Sequence, residues 1–269
     1  MTQPKLDVKL IQWTPNAEEL LMFTKDTRLL SGPDDYIKKF ELKGEERQKE
    51  FAKVFSSISS PLEFVDYIFL ITNVTRAFTH QLVRHRVGVA FAQQAQRVVD
   101  MSGFSYMTPD SFLDHDPKDG YNMLNHVYEL TMEHIQEGYE ELINLGARAQ
   151  DARGVLPTNV HTNILFKVNL RAMLEMAHIR LCVRAQGEFQ QVALKIREEA
   201  SRVHPWVADR MGPLCISKGI CAFPVFDRCP IKAERPWLNG PPQTEIRAMR
   251  GEWEGLMGKY DPQPLGDGK

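Results

Sequence analysis

The sequence predicts an α+β fold, on two patterns and one bound. Segments 65–72 and 160–168 concentrate β-branched and aromatic residues over strand lengths, whereas 121–146 and 170–202 carry the apolar spacing of helices. The bound is size: 269 residues with 43% hydrophobic content can bury a sizeable core, as one large domain or two modest ones. No internal repeat and no shift in composition requires a second domain.

Taken in order, Ser60-Pro61-Leu62-Glu63 has the form of a capping box with proline in the first helical position, so a short helical turn is expected there. Val65 to Thr72 follows as a strand. Asn73 can cap a helix that carries Arg76 to His85, with Arg76, His80 and Arg84 along one side at spacing four. Ala90 to Val99 reads as a strand or extended segment. Met101 to Gly120 holds Asp110, Asp114, Asp116 and Asp119 between prolines, without the pattern of a cation loop, and is expected to be a solvated connection. From Tyr121 to Gly146, Leu124, Val127, Tyr128, Met132, Ile135, Tyr139, Leu142 and Ile143 recur at three and four and are expected to face the core. Val160 to Val168 is another strand, Asn169 its following cap, and Leu170 to Arg202 mostly helix until His204-Pro205. Prolines and glycines then recur from Pro230 onward, which divides the chain into a body, 1–230, and a Pro/Gly-rich extension, 231–269.

Composition also excludes. A net charge of −2 argues against bulk attraction to nucleic acid or to anionic membranes. No stretch approaches the roughly 20 apolar residues of a membrane span, and Met1 to Trp13 lacks the apolar core of a signal peptide, so cytoplasmic residence is the default expectation. Cys182, Cys215, Cys221 and Cys229 lack the Cys-x2-Cys pairs of familiar zinc sites, so free thiols are expected and no metal.

Charge distribution carries the chemistry. From Tyr67 to Val99 there is no Asp or Glu, yet Arg76, His80, Arg84, His85, Arg86 and Arg97 all lie inside. A second stretch repeats the pattern: Arg153, Lys167 and Arg171 precede Glu175, and Arg180 and Arg184 precede Glu188. Guanidinium groups offer planar forks of donors that match phosphate, and a cluster without local acids repels itself unless a polyanion fills it. Solvated helix faces also carry such charge, but two acid-free stretches point to one shared anion pocket.

Those residues fall into an ordered set: Ser60-Pro61-x-Glu63, Arg76-Ala77-Phe78-Thr79-His80-Gln81-Leu82-Val83-Arg84-His85-Arg86, Arg97, Arg153-x-x-Leu156-Pro157, Asn169-Leu170-Arg171 and Arg180-Leu181-Cys182-x-Arg184-Ala185-Gln186. In order and spacing the set resembles the flavin-dependent thymidylate synthases, over about residues 58 to 200. The resemblance implies a mainly antiparallel sheet flanked by helices in a single large domain. It implies FAD as cofactor, methylene-tetrahydrofolate and NADPH as co-substrates, and a pyrimidine nucleotide monophosphate as substrate. Ser60, Arg84, His85, Arg86, Gln93, Asn169, Arg171 and Glu175 would meet FAD. Gln81, Arg84, Arg153 and the segment Gln93, Gln94, Ala95, Gln96 and Arg97 would hold the nucleotide, the segment reaching a neighbouring subunit's site in a homotetramer. Arg180 would be catalytic, its charge stabilising the uracil ring as an anion, in contrast to a structural ion pair with Glu175 or Glu188.

The sequence also departs from the family pattern. The family pattern has seven residues between Arg-His-Arg and a serine, whereas here eight intervene and the position holds Ala95; a second serine is lost at Ala90. Ile58 stands in place of a histidine, Val98 in place of a tyrosine, and Glu175 in place of Asn or His against the flavin. These changes gather around substrate and flavin, so the expectation of dUMP methylation stands beside alternatives: a pyrimidine nucleotide hydroxymethylase, a UMP or dCMP methylase, or a flavin- and nucleotide-binding protein without turnover.

Overall fold

The computed structural model describes residues 4–27, 31–56, 58–113, 122–223, 226 and 229–231. Alternation of burial along two central strands organises it. In β2 (Asp66–Thr75), Tyr67, Phe69 and Ile71 are buried, and in β4 (His161–Asn169) so are Ile164, Phe166 and Val168. Side chains of a strand alternate between faces, so pairing β2 with β4 puts both rows on one side. β1 (Asp7–Trp13) pairs with β2, and β3 (Val89–Gln93) with β4, giving a sheet of order β1-β2-β4-β3 in which every pairing is antiparallel. Phe91 on β3 stacks on Phe166 at 5.4 Å between ring centroids.

The chain divides into two compact units, 1–212 and 213–269. In the first, α1 (Ala17–Asp26), α2 (Pro33–Glu41) and α3 (Gly44–Phe55) follow β1. Next come α4 (Arg76–Leu82), the short α5 (Asp110–Leu113), α6 (Met123–Asn144), the single turn α7 (Ala149–Ala152), α8 (Leu170–Arg180), α9 (Gly187–Val203) and α10 (Val207–Arg210). The described part of the second unit is α11 (Leu214–Ser217) and the residues around it. Residues 232–269 of the Pro/Gly-rich extension, and Asp114, Asp116 and Asp119, lie outside the described residues. The four cysteines are not joined in disulfides.

The core fills the space between one face of the sheet and the helices: Leu21 and Met22 of α1, Phe78 and Leu82 of α4, Met173 and Ala177 of α8, and Phe189, Val192 and Ile196 of α9. The opposite face, with Ile68, Leu70, Leu165, Ala90 and Ala92, stays partly or wholly exposed. A smaller cluster of Met101, Phe104, Tyr139, Ala152 and Val160 forms beneath α6.

Several boundaries differ from expectation for local reasons. Asn73 does not cap a helix; it takes a left-handed φ of 56° within a β2 bulge, and the cap falls to Thr75, whose hydroxyl accepts from Phe78 N–H at 2.9 Å. α4 therefore ends at Leu82, and Arg84 and His85 sit in the turn beyond it. Ser60-Pro61 does open a helical turn, a 3-10 segment to Phe64, but no capping box forms: Ser59 precedes it without a side-chain cap, and its carbonyl accepts from Leu62 N–H. The helix expected from 170 to 202 breaks at 181–186, separating α8 from α9. On α6 only Met132 and Tyr139 are buried, while Leu124, Val127 and Leu142 are exposed. That helix packs on its own small cluster rather than on the sheet, so one narrow stripe suffices.

Candidate active site

The break between α8 and α9 builds the centre of the site. Arg180 is the last residue of α8, and the chain then turns so that Phe189, in the first turn of α9, lies beneath it. The guanidinium carbon of Arg180 is 4.1 Å from the Phe189 ring centroid. Its Nε–H donates to His85 Nε2 and its Nη1 to Gln81 Oε1, both at 3.3 Å. Gln81 in turn donates to the side-chain oxygen of Gln186. Phe189 also meets Phe78 and His85 edge to face at 4.8 and 6.0 Å. Residues from α4, the turn after it, α8 and α9 thus converge on one guanidinium.

Electrostatics follow from this packing. Burial lowers the proton affinity of Arg180, and the nearby Arg84 lowers it further, although guanidinium remains charged at neutral pH. Burial and Arg180 also depress the His85 pKa below its ordinary value. A neutral His85 that accepts at Nε2 carries its proton on Nδ1. Neither acid considered as an ion-pair partner reaches Arg180. Glu175 pairs with Arg171, and both oxygens of Glu188 accept from Thr75.

A second cluster lies around the start of α4. Arg76 donates to Gln96 Oε1 at 2.8 Å, and its own proton affinity is lowered by burial and by Arg153. Gln96 is 9% exposed, and its Nε2 has no partner among the described residues. Two cations whose charges oppose each other, beside an unpaired amide donor, form an environment that favours an anion. Along the same segment Gln93 turns inward, donating to Thr79 Oγ1 at 3.0 Å and Thr162 Oγ1 at 3.4 Å. Gln94 reaches the sulfur of Met101. Ala95 and Arg97 are exposed, and the Ala95 carbonyl accepts from Val98 and Val99 N–H.

The remaining residues fall into a third group. Asn169 is buried and caps α8 by accepting from Ala172 N–H at 2.9 Å. Gly88, at φ 70°, presses against it so closely that a Cβ there would lie 2.4 Å from Asn169 Nδ2. Arg171 bridges Glu63 and Glu175 on the surface, beside the turn that Ser60 opens. By contrast Arg76, Arg84, Arg86, Arg97, Arg153 and Arg180 have no carboxylate partner among the described residues. That donor set suits phosphate-bearing ligands such as FAD and a nucleotide. The sequence motifs named most of these groups but not the support beneath Arg180; the signal for Phe189 was its place just beyond Arg184-Ala185-Gln186. Among the described residues no His, Cys, Asp and Glu cluster is placed to hold a metal. None of the helices there is long and apolar enough to cross a membrane.

The fold is an antiparallel α+β sheet with helices on one face and two arginine clusters without carboxylate partners among the described residues, a donor set suited to anions, and comparison supplies the family. Residues 9–206 match the family described as thymidylate synthase complementing protein. The chain is 30% identical to a flavin-dependent thymidylate synthase of Clostridium tetani over 228 residues, 78% of this chain and 88% of that one. It is 36% identical to the flavin-dependent thymidylate synthase of Nitratidesulfovibrio vulgaris over 193 residues, covering 67% and 76%. Its fold is similar to that of a UMP/dUMP methylase, PolB, of Streptomyces cacaoi bound with 5-Br dUMP, with a TM-score of 0.63, 18% identity, and 76% and 93% of the two chains covered. The chain belongs to the flavin-dependent thymidylate synthase family and is a thymidylate synthase-like enzyme.

Proposed function

We propose that this enzyme transfers a one-carbon unit from methylene-tetrahydrofolate to carbon 5 of a pyrimidine nucleotide, with reductive methylation of dUMP to dTMP as its reaction. FAD is the bound cofactor in this reading and NADPH the reductant. When bound, FAD supplies the electrons that reduce the transferred carbon. The observation that carries the reading is Arg180, a fixed cation that touches His85, Gln81 and Phe189 but, among the described residues, no carboxylate.

The residues then divide the work. Arg180 faces the base and stabilises negative charge that gathers on the uracil ring, which makes carbon 5 more nucleophilic. Gln81, held by Gln186, orients the base, and neutral His85 keeps its proton on Nδ1 without competing for Arg180's charge. Phe189 shields one side of the guanidinium from water, strengthening its field. Arg84, Arg86 and Asn169 hold FAD together with Ser60, Gln93, Arg171 and Glu175. Arg153, Gln94, Ala95, Gln96 and Arg97 hold the nucleotide phosphate and sugar. The working unit is a cytoplasmic homotetramer with shared sites, whose catalytic domain spans 1–230; the uncovered sheet face with Ile68, Leu70 and Leu165 supports an assembly that buries it.

A second reading rests on Ala95, which presents a methyl where the family pattern has a hydroxyl. Loss of that polar contact favours acceptance of UMP or dCMP, or release of a hydroxymethyl product. The test is incubation of dUMP, UMP and dCMP separately with methylene-tetrahydrofolate, NADPH and FAD, with product masses read by mass spectrometry. Gain of one CH2 on dUMP is expected. Gain of CH2O, or a preference for another nucleotide, establishes the second reading; no product from any of the three overturns both.

A further inference from the structure

Glu188 is a buried carboxylate, 7% exposed, in the first turn of α9, and no cation pairs with it among the described residues. Both of its oxygens are used. Oε1 accepts from Thr75 N–H and Oε2 from the Thr75 hydroxyl, each at 2.6 Å. The hydroxyl has only one proton, so donating it to Glu188 leaves its lone pairs for Phe78 N–H, the cap that starts α4. The residues beside Glu188 reach the far end of the same construction: Gln186 accepts from Gln81, and Phe189 supports Arg180 and His85. One short stretch of chain therefore grips the beginning of α4, its functional glutamine and the cation the glutamine touches.

We propose that Glu188 is a positioning residue for the reaction: by fixing Thr75 it sets α4 against α9, and so sets Gln81 and His85 against Arg180. The inference rests on the functional reading of Arg180 given above. Placement matters because the two bonds to Arg180 are both long, at 3.3 Å, and neither alone fixes the guanidinium. A slip of α4 along α9 opens them while the arginine stays on Phe189.

Glu188→Gln tests this without removing bulk. Its amide oxygen can still accept from Thr75 N–H, but its NH2 then faces the Thr75 hydroxyl, whose proton loses its acceptor. Amide exchange across 76–82, read by mass spectrometry, is expected to quicken about tenfold. Turnover of the nucleotide is expected to fall about tenfold to a hundredfold with KM unchanged, because placement rather than binding is lost. Thr75→Val should do the same, the double variant should be no worse than either single one, and Thr75→Ser should keep wild-type behaviour. Wild-type exchange and turnover in Glu188→Gln overturn the proposal. So does loss of protection across the whole sheet, or a fall in turnover matched by a rise in KM. If Glu188→Gln does not fold, Thr75→Val against Thr75→Ser decides by the same readings. If the wild-type enzyme turns over none of the three nucleotides, the functional reading fails, and exchange at 76–82 alone decides whether Glu188 positions α4.

Discussion

Arg180→Lys separates catalysis from binding at the centre of the site. The substitution keeps a positive charge but removes the planar fork. It cannot preserve both the Nε bond to His85 and the Nη1 bond to Gln81 with the stacking on Phe189. Each lost hydrogen bond is worth about 0.5–1.5 kcal/mol, and the contact with the ring about 0.5–2 kcal/mol. Those contacts exist before substrate arrives, so their loss falls first on the arrangement of the free enzyme. The larger effect is on charge that develops during reaction, where removing one well-placed donor costs about 2.7–4 kcal/mol, or a factor of about a hundred to a thousand in turnover. The assay is steady-state turnover of dUMP by product mass, beside nucleotide affinity by calorimetry. Turnover is expected to fall about a hundredfold or more with affinity largely kept. Equal losses in both would show that Arg180 only binds, and that the anion argument is wrong.

Other outcomes follow from the same geometry. Arg86→Ala removes a charge-assisted donor worth roughly 1.5–3 kcal/mol and should weaken FAD binding about tenfold or more, as read by flavin titration. Ala95→Ser restores a hydroxyl and should change the order of preference among dUMP, UMP and dCMP while flavin affinity stays constant; the ratios of kcat/KM check it. His85, His161 and His204 all have pKa values lowered by burial, so the folded protein binds protons less readily than the unfolded chain. Stability should therefore be full above pH ~6.5 and fall as pH drops through that value, levelling off below the folded pKa values, seen as a lower urea midpoint at pH ~5.5 than at ~7.5.

What the sequence disclosed depended on whether a signal was local. β2 and β4 were legible because both lie at the centre of the sheet and their runs are rich in β-branched and aromatic residues. β1 escaped because its strand, Asp7–Trp13, is an edge with only Val8 buried. Of the three helices after it, α1 buries Leu21 and Met22, but α2 buries no side chain and α3 only Phe51 and Val54. Their start signals were nevertheless present, as in Gly32-Pro33, where Gly32 N–H donates to Asp35. The break after Arg180 could not be read from periodicity, because apolar residues continue through Leu181, Val183 and Phe189. Tertiary contact, with Phe189 folding back under Arg180, decides it. The arginine stretches were visible as charge, but which arginines would find acids depended on how distant segments meet.

That division of partners sharpens the site. Arg171 and Arg180 stand at opposite ends of one helix and belong to the same motif set, yet only Arg171 meets carboxylates, at 2.7 Å to Glu63 and 3.0 Å to Glu175. These pairs are largely exposed and contribute little to stability. On the proposed assignment, a flavin phosphate would compete with two acids for Arg171, whereas Arg84 and Arg86 have no carboxylate partner among the described residues. Glu175 stands where the family pattern has Asn or His, so on the same assignment this chain would place an acid on the flavin side of its site, while no carboxylate pairs with Arg180 among the described residues. Flavin affinity should thus depend more on Arg84 and Arg86 than on Arg171. With no carboxylate partner among the described residues, Arg180 would keep its full charge for the proposed nucleotide.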